Sequence, residues 1–124
     1  MSGWTPDELD AVDRADEVAV TSRRADGTLR GYVTIWVVRV GDDIYVRSAY
    51  GPENGWFRRA CESGDGRIRG DGFERDVAFE TPSPAIDADL DAAYHAKYDR
   101  HGRAMVATVI LPRAAQSTLR LVPR

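Results

Sequence analysis

Arg30-Gly31-Tyr32-Val33-Thr34-Ile35-Trp36-Val37-Val38-Arg39-Val40 is the stretch that decides the fold, and it reads as a β-strand. β-branched and aromatic side chains fill it, and these suit a pleated, half-buried surface. Val33, Ile35 and Val37 fall on one face; Tyr32, Trp36, Val38 and Val40 fall on the other. A strand that is apolar on both faces needs cover on both sides, as in a barrel wall or a central strand. Gly41-Asp42-Asp43 closes a hairpin into a second strand, Ile44 to Tyr50. Gly51-Pro52-Glu53-Asn54-Gly55 then breaks the pattern, and Trp56-Phe57-Arg58-Arg59-Ala60-Cys61 resumes as helix.

Upstream, Thr5-Pro6-Asp7-Glu8 has the form of a capping box with Pro at the first helical position. Leu9 and Val12, with Trp4 before the cap, can clip this short helix to the body. Glu17 to Arg23 alternates as a strand, and Ala25-Asp26-Gly27-Thr28 is a hairpin turn. The three strands around these two hairpins predict an antiparallel meander. Downstream, the helix from Trp56 ends near Gly64, which suits a left-handed cap. Gly66 to Gly70 is a short strand, Asp71-Gly72 a turn, and Phe73 to Thr81 another strand. Asp87 to Arg100 is a helix, because Ile86, Leu90, Ala93, Tyr94, Lys97 and Tyr98 recur at three- and four-residue spacing. Ala104 to Leu111 suits strand or helix, and Pro112 ends it either way. Ser117 to Val122 is a final strand. The fold class is α+β: a small, mostly antiparallel barrel with three short flanking helices, in one domain over 1–124.

With 124 residues the chain can bury a core without staples. One cysteine, Cys61, rules out an intramolecular disulfide and fits a reducing cytoplasm. No apolar run approaches the roughly 20 residues of a membrane span, and the N-terminus lacks the pattern of a signal peptide. The expectation is a soluble cytoplasmic protein that does not engage membranes. A net charge of −3 argues against general affinity for nucleic-acid backbones. All but one of the 17 lysines and arginines are arginine, the exception being Lys97. That bias by itself reads as codon usage, so only the placement of particular arginines carries an argument.

Few residues suggest catalysis. His95 and His101 have no metal-ligand spacing with each other or with Cys61, so no metal site is expected. There is no Gly-x-Ser-x-Gly elbow and no phosphate-binding Gly-rich loop of the P-loop type. A lone helical cysteine such as Cys61 is more often packed than nucleophilic. The loop after the second strand offers more. Arg47 and Ser48 leave the sheet together, Gly51 and Gly55 permit close backbone approach, and the helix starting near Asn54 to Trp56 turns its free N–H groups toward the loop. Arg58 and Arg59 follow in the first turns. The set suits an oxyanion or phosphate clamp; it also suits an ordinary loop with surface arginines and Trp56 as a packing staple. Tyr94 and Tyr98 share a helix face beside His95. They can line a cleft that moves a proton, or pack on a sheet with their hydroxyls at its edge.

These pieces carry a resemblance. Strand, hairpin, strand ending in Ser, Gly-containing loop and Trp-aromatic helix resemble the flavin-binding split barrels, the pyridoxamine-phosphate-oxidase-like proteins. Ser48-Ala49-Tyr50-Gly51-Pro52-Glu53-Asn54-Gly55-Trp56-Phe57 is most similar to the deazaflavin-dependent nitroreductase branch. Trp4-Thr5-Pro6, Trp36-Val37-Val38, Tyr45-Val46-Arg47, Gly66-Arg67-Ile68, Ala93-Tyr94-His95-Ala96-Lys97-Tyr98 and Leu119-Arg120-Leu121-Val122-Pro123-Arg124, in that order, resemble an uncharacterised bacterial family, domain of unknown function family 2255. The resemblance implies a split β-barrel, a homodimer and FMN or a deazaflavin as cofactor. It implies an oxidoreductase acting on a small organic molecule. Arg47, Ser48 and Gly51 would hold phosphate with Asn54 and Arg58 or Arg59 beside it, and Trp56 would wall the pocket. The sequence departs from the nitroreductases at Tyr50-Gly51, where they carry a glycine pair, and at Arg58-Arg59, where an Asn often follows the aromatic pair. Two other readings stay open: a non-enzymatic binder of a small anionic or aromatic ligand, and a cofactor-free enzyme using Tyr94, His95 or Tyr98.

Overall fold

The structure is a computed structural model and describes residues 3–49 and 51–124. Tyr50, expected to end the second strand, lies outside the described residues, as do Met1 and Ser2. Helix α1 (Pro6–Arg14) opens with the expected capping box: Thr5 Oγ1 accepts from the Glu8 N–H, and the Glu8 carboxylate accepts from the Thr5 N–H. Leu9, Val12 and Trp4 bury against the sheet, and the Trp4 indole N–H donates to the Leu121 carbonyl at 3.2 Å.

Among the described residues seven strands follow in one antiparallel sheet: β1 (Val18–Ser22), β2 (Val33–Ile35), β3 (Val38–Val40), β4 (Asp43–Arg47), β5 (Asp65–Gly70), β6 (Phe73–Glu80) and β7 (Thr118–Pro123). Their order across the sheet is β2-β1-β5-β6-β7-β4-β3. The two hairpins form where expected, pairing β1 with β2 and β3 with β4. The meander does not form. What the sequence reads as one long strand is two, and they lie at opposite edges of the sheet. Only Trp36 and Val37 join them, so the sheet must curl until its edges meet, which makes it a split barrel.

The break has a physical cause. The Val37 N–H donates to the Tyr98 hydroxyl at 3.0 Å, and the Val37 carbonyl accepts from the Lys97 ammonium at 2.8 Å. Buried backbone groups must be paired, and side chains supply here what a neighbouring strand would. The two faces of the stretch keep their expected sides. Ile35 and Val37 join the barrel interior with Val20, Ile44, Val46, Ile68 and Leu121. Trp36, Val38 and Val40 join a second cluster outside the barrel, with Leu90, Tyr94 and Tyr98.

Among the described residues, five α-helices flank the sheet rather than the three expected. They are α1, α2 (Gly55–Ser63, ended by Gly64), α3 (Asp87–Tyr98), α4 (Arg103–Ile110) and the single turn α5 (Pro112–Ala115). The Ala104–Leu111 stretch resolves to helix, since Val106 and Val109 reach the cluster that α3 makes with the sheet. Among the described residues no helix is long and apolar enough to cross a membrane.

Candidate functional site

A cavity of about 430 Å³ opens where β2, the Trp36 crossover, the end of β4, the start of α2 and one side of α4 meet. Val33, Ile35, Trp36 and Trp56 give it apolar walls. Trp36 is held rigidly: its ring stacks flat on Tyr98, with centroids 4.0 Å apart and planes parallel. Asn54 lies on the cavity wall and also caps α2, its side-chain oxygen accepting from the Trp56 N–H at 3.1 Å. Met105, Thr108 and Val109 of α4 close another side, and Glu17 stands at the exposed margin.

A small pocket of about 20 Å³ lies beside the cavity and shares Val33 and Trp56 with its lining. Arg30 and Arg59 line this small pocket and also a cleft of about 490 Å³ that includes Arg23 and Arg24. Arg23 is matched by Asp65 and Asp76. Arg30 and Arg59 form no ion pair among the described residues. The Arg30 Nε is buried without a hydrogen-bond partner, and an unmatched buried donor is costly. Gly55 lets Arg59 fold back over the helix start: a Cβ there would lie 2.9 Å from the Arg59 Nη1.

The structure brings together Asn54, Trp56 and Arg59 of the expected site, with Arg47 on the cavity wall. Arg47, however, is fully enclosed. Its guanidinium donates to Thr118 Oγ1 at 2.9 Å, Asp91 at 2.7 Å, the Val109 carbonyl at 2.8 Å and Asp87 at 3.4 Å. Four of the five guanidinium N–H groups are thus engaged. Ser48 is buried: its N–H donates to the Ser117 hydroxyl, which donates back to the Ser48 carbonyl. Gly51 is left-handed at φ +83°, and the chain that approaches it is Arg113, whose Cγ would lie 2.6 Å from an added Cβ. Arg58 is exposed on α2 and lines none of the three cavities.

Tyr94, His95 and Tyr98 do not line the cavity. Tyr94 is buried against Arg47, whose guanidinium lies 5.6 Å from its ring centre, and burial pushes its hydroxyl well above the usual range. The Tyr98 hydroxyl donates to the Asp16 carbonyl at 2.7 Å, and burial pushes its pKa up to about 12. His95 pairs with Asp99 at 2.8 Å on the surface. Burial also lowers Lys97 to about 8, while its ammonium donates to the Val12 and Val37 carbonyls. Sequence reading missed Arg30, Trp36, Glu17, Met105 and Thr108 as lining residues. The available signal was Arg30 heading the decisive strand, three residues before the apolar run that forms the wall.

A curled seven-stranded antiparallel sheet of this kind has the split-barrel fold. The chain belongs to the family described as "Uncharacterized protein conserved in bacteria (DUF2255)", whose model matches residues 8–121. No curated protein matches the sequence. Among solved structures, the conserved hypothetical protein Rv2991 of Mycobacterium tuberculosis is similar with a TM-score of 0.66 and 14% identity, over 98% of this chain and 81% of that one. A protein described as an F420 reductase is similar with a TM-score of 0.60 and 15% identity, over 93% and 90%. A FAD-binding protein from Mesorhizobium loti is similar with a TM-score of 0.55 and 16% identity, over 98% and 91%.

Proposed function

We propose that this protein binds a flavin-type cofactor, FMN or a deazaflavin, and uses it as an oxidoreductase on a small organic molecule. One observation carries the reading. An apolar, tryptophan-walled cavity shares Val33 and Trp56 with a small pocket whose Arg30 and Arg59 also line a basic cleft, and the buried Arg30 Nε there has no partner. A flat ring bearing an anionic chain has this distribution of apolar and charged surface. The residues therefore fit the group. Val33, Ile35, Trp36 and Trp56 would enclose the ring, Asn54 would offer its amide, and Arg30 and Arg59 would hold the phosphate. Arg fits phosphate bidentately, and a helix N-terminus at Gly55 adds a favourable dipole. Hydride chemistry would be the cofactor's own, and the chain would supply orientation and exclusion of water. Neighbours of this fold include proteins described as an F420 reductase and as FAD-binding, which supports the class of cofactor.

The test is titration with FMN and with a deazaflavin, followed by ligand fluorescence and thermal shift. A ligand that binds only the folded state raises its apparent stability. The expected result is saturable binding that Arg30→Ala and Arg59→Ala each weaken. Absence of binding to both compounds removes the proposal. The homodimer implied by the family resemblance belongs to the same reading, and sedimentation equilibrium at cofactor saturation tests it.

A further inference from the structure

The surroundings of this cavity differ in charge from one side to the other. The small pocket behind Val33 and Trp56 carries Arg30 and Arg59, which form no ion pair among the described residues. The exposed margin beside the Val18–Ile35 pair, away from Val33, carries Glu17, which forms no hydrogen bond or ion pair among the described residues. Among the described residues that line the cavity the one cation is Arg47, and it faces two carboxylates at 3.4 and 2.7 Å, so these groups together are negative. The apolar surface beside Glu17 is aromatic and fixed, because Trp36 is clamped flat on Tyr98. Met105 is 55% exposed and adaptable in shape. An indole face attracts cations through its quadrupole, and a nearby carboxylate adds to that attraction.

We propose that the Glu17 end of the cavity is the substrate end and takes a flat aromatic cation, with the cationic group on the Glu17 carboxylate and the ring against Trp36 and Met105. The proposal rests on the flavin-type reading only for the division of the cavity between cofactor and substrate. The charge asymmetry is a property of the chain itself. It gives the site a preference that an apolar cavity would lack: aromatic anions are repelled at the end where substrates would enter, while anionic cofactor tails are drawn to the other.

Three probes of one size separate this from simple hydrophobic binding: benzamidine, benzamide and benzoate, titrated against the intrinsic fluorescence of Trp36 and Trp56. The expected order is benzamidine over benzamide over benzoate, with about a tenfold gap between the ends from one carboxylate and one aromatic face. Glu17→Gln should close most of that gap without changing the melting temperature. Equal or tighter binding of benzoate by the unaltered protein overturns the proposal, as does a benzamidine affinity that Glu17→Gln leaves intact. An FMN titration of the unaltered protein keeps the two readings apart. Charge discrimination without FMN binding removes the cofactor and leaves the cation site; FMN binding without discrimination removes the cation site alone.

Discussion

Replacing Arg47 by Met tests whether this residue is a brace between elements. Its guanidinium joins β4 to β7 through Thr118, to the first turns of α3 through Asp87 and Asp91, and to the end of α4 through the Val109 carbonyl. Val109 is among the last four residues of α4, so its carbonyl has no partner within the helix. Arg47→Met would strand that buried acceptor, at a cost of about 1–3 kcal/mol. Asp87 and Asp91 are about 40% exposed and would regain water, so their charge-assisted bonds would add only about 1 kcal/mol each. Removing a charge from the interior, with apolar Met in its place, offsets part of this. The net expectation is a loss of about 2–4 kcal/mol. At about 4 °C per kcal/mol for a domain of this size, the melting temperature falls by about 8–16 °C. Denaturant unfolding followed by tryptophan emission measures it, and a double-mutant cycle with Asp91→Ala isolates the pair. A melting temperature within about 2 °C of the parent, well inside the range expected for an ordinary surface change, would refute the brace.

Gly66→Ala should be among the most damaging single changes, because a Cβ there would lie 1.9 Å from the Thr21 carbonyl oxygen where β1 crosses β5. Loss of the cooperative thermal transition is the expected result, and a folded variant of near-parental stability would contradict the register. Tyr98→Phe leaves the Val37 N–H and the Asp16 carbonyl without their hydroxyl partner, which predicts a loss of about 1–3 kcal/mol by denaturant titration and a looser Trp36 wall seen as red-shifted emission. Lys97 predicts a pH dependence. Its folded pKa of about 8 lies below the ordinary 10.5, so the unfolded chain binds more protons between those values and stability rises from pH 8 towards 10. The gain should be about 1–2 kcal/mol after discounting for partial exposure, and Lys97→Met should flatten it. Above pH 10 the raised pKa of Tyr98 reverses the sign, because the folded chain then holds the extra proton.

Local signals were legible where the physics is local. The Thr5 capping box, the Gly64 cap of α2 and the Asp-Gly turns are set by residues within a few positions of one another. The two-faced pattern of residues 33–40 was also legible, since Ile35 and Val37 went to one core cluster and Trp36, Val38 and Val40 to the other. The same pattern concealed the break. Nothing between Arg30 and Val40 marks Val37 as the end of pairing, because the groups that satisfy its backbone come from Lys97 and Tyr98, 60 and 61 residues later. The site shows a parallel division. Asn54 and Trp56 were legible from the loop-to-helix transition they create. Arg47 was legible as special but not in its engagements, because Asp87, Asp91, Val109 and Thr118 meet it only through packing.

The break at Val37 and the cavity have one origin. Continuing the strand would have kept Trp36 in a ladder with neighbours on both sides. Ending it there lets the chain pass between the two edges of the sheet, and the half-buried Trp36 becomes a wall of the space they leave. α3 determines this geometry, because Tyr98 both binds the Val37 N–H and stacks under Trp36. The helix whose tyrosines read in sequence either as proton-transfer groups or as packing groups therefore acts on the site by shaping it. Tyr94 and Tyr98 are held neutral by burial, and neither lines the cavity. What the described residues leave around the cavity is a mostly apolar wall, with Glu17 at its exposed margin and Arg30 and Arg59 in the small pocket that shares Val33 and Trp56.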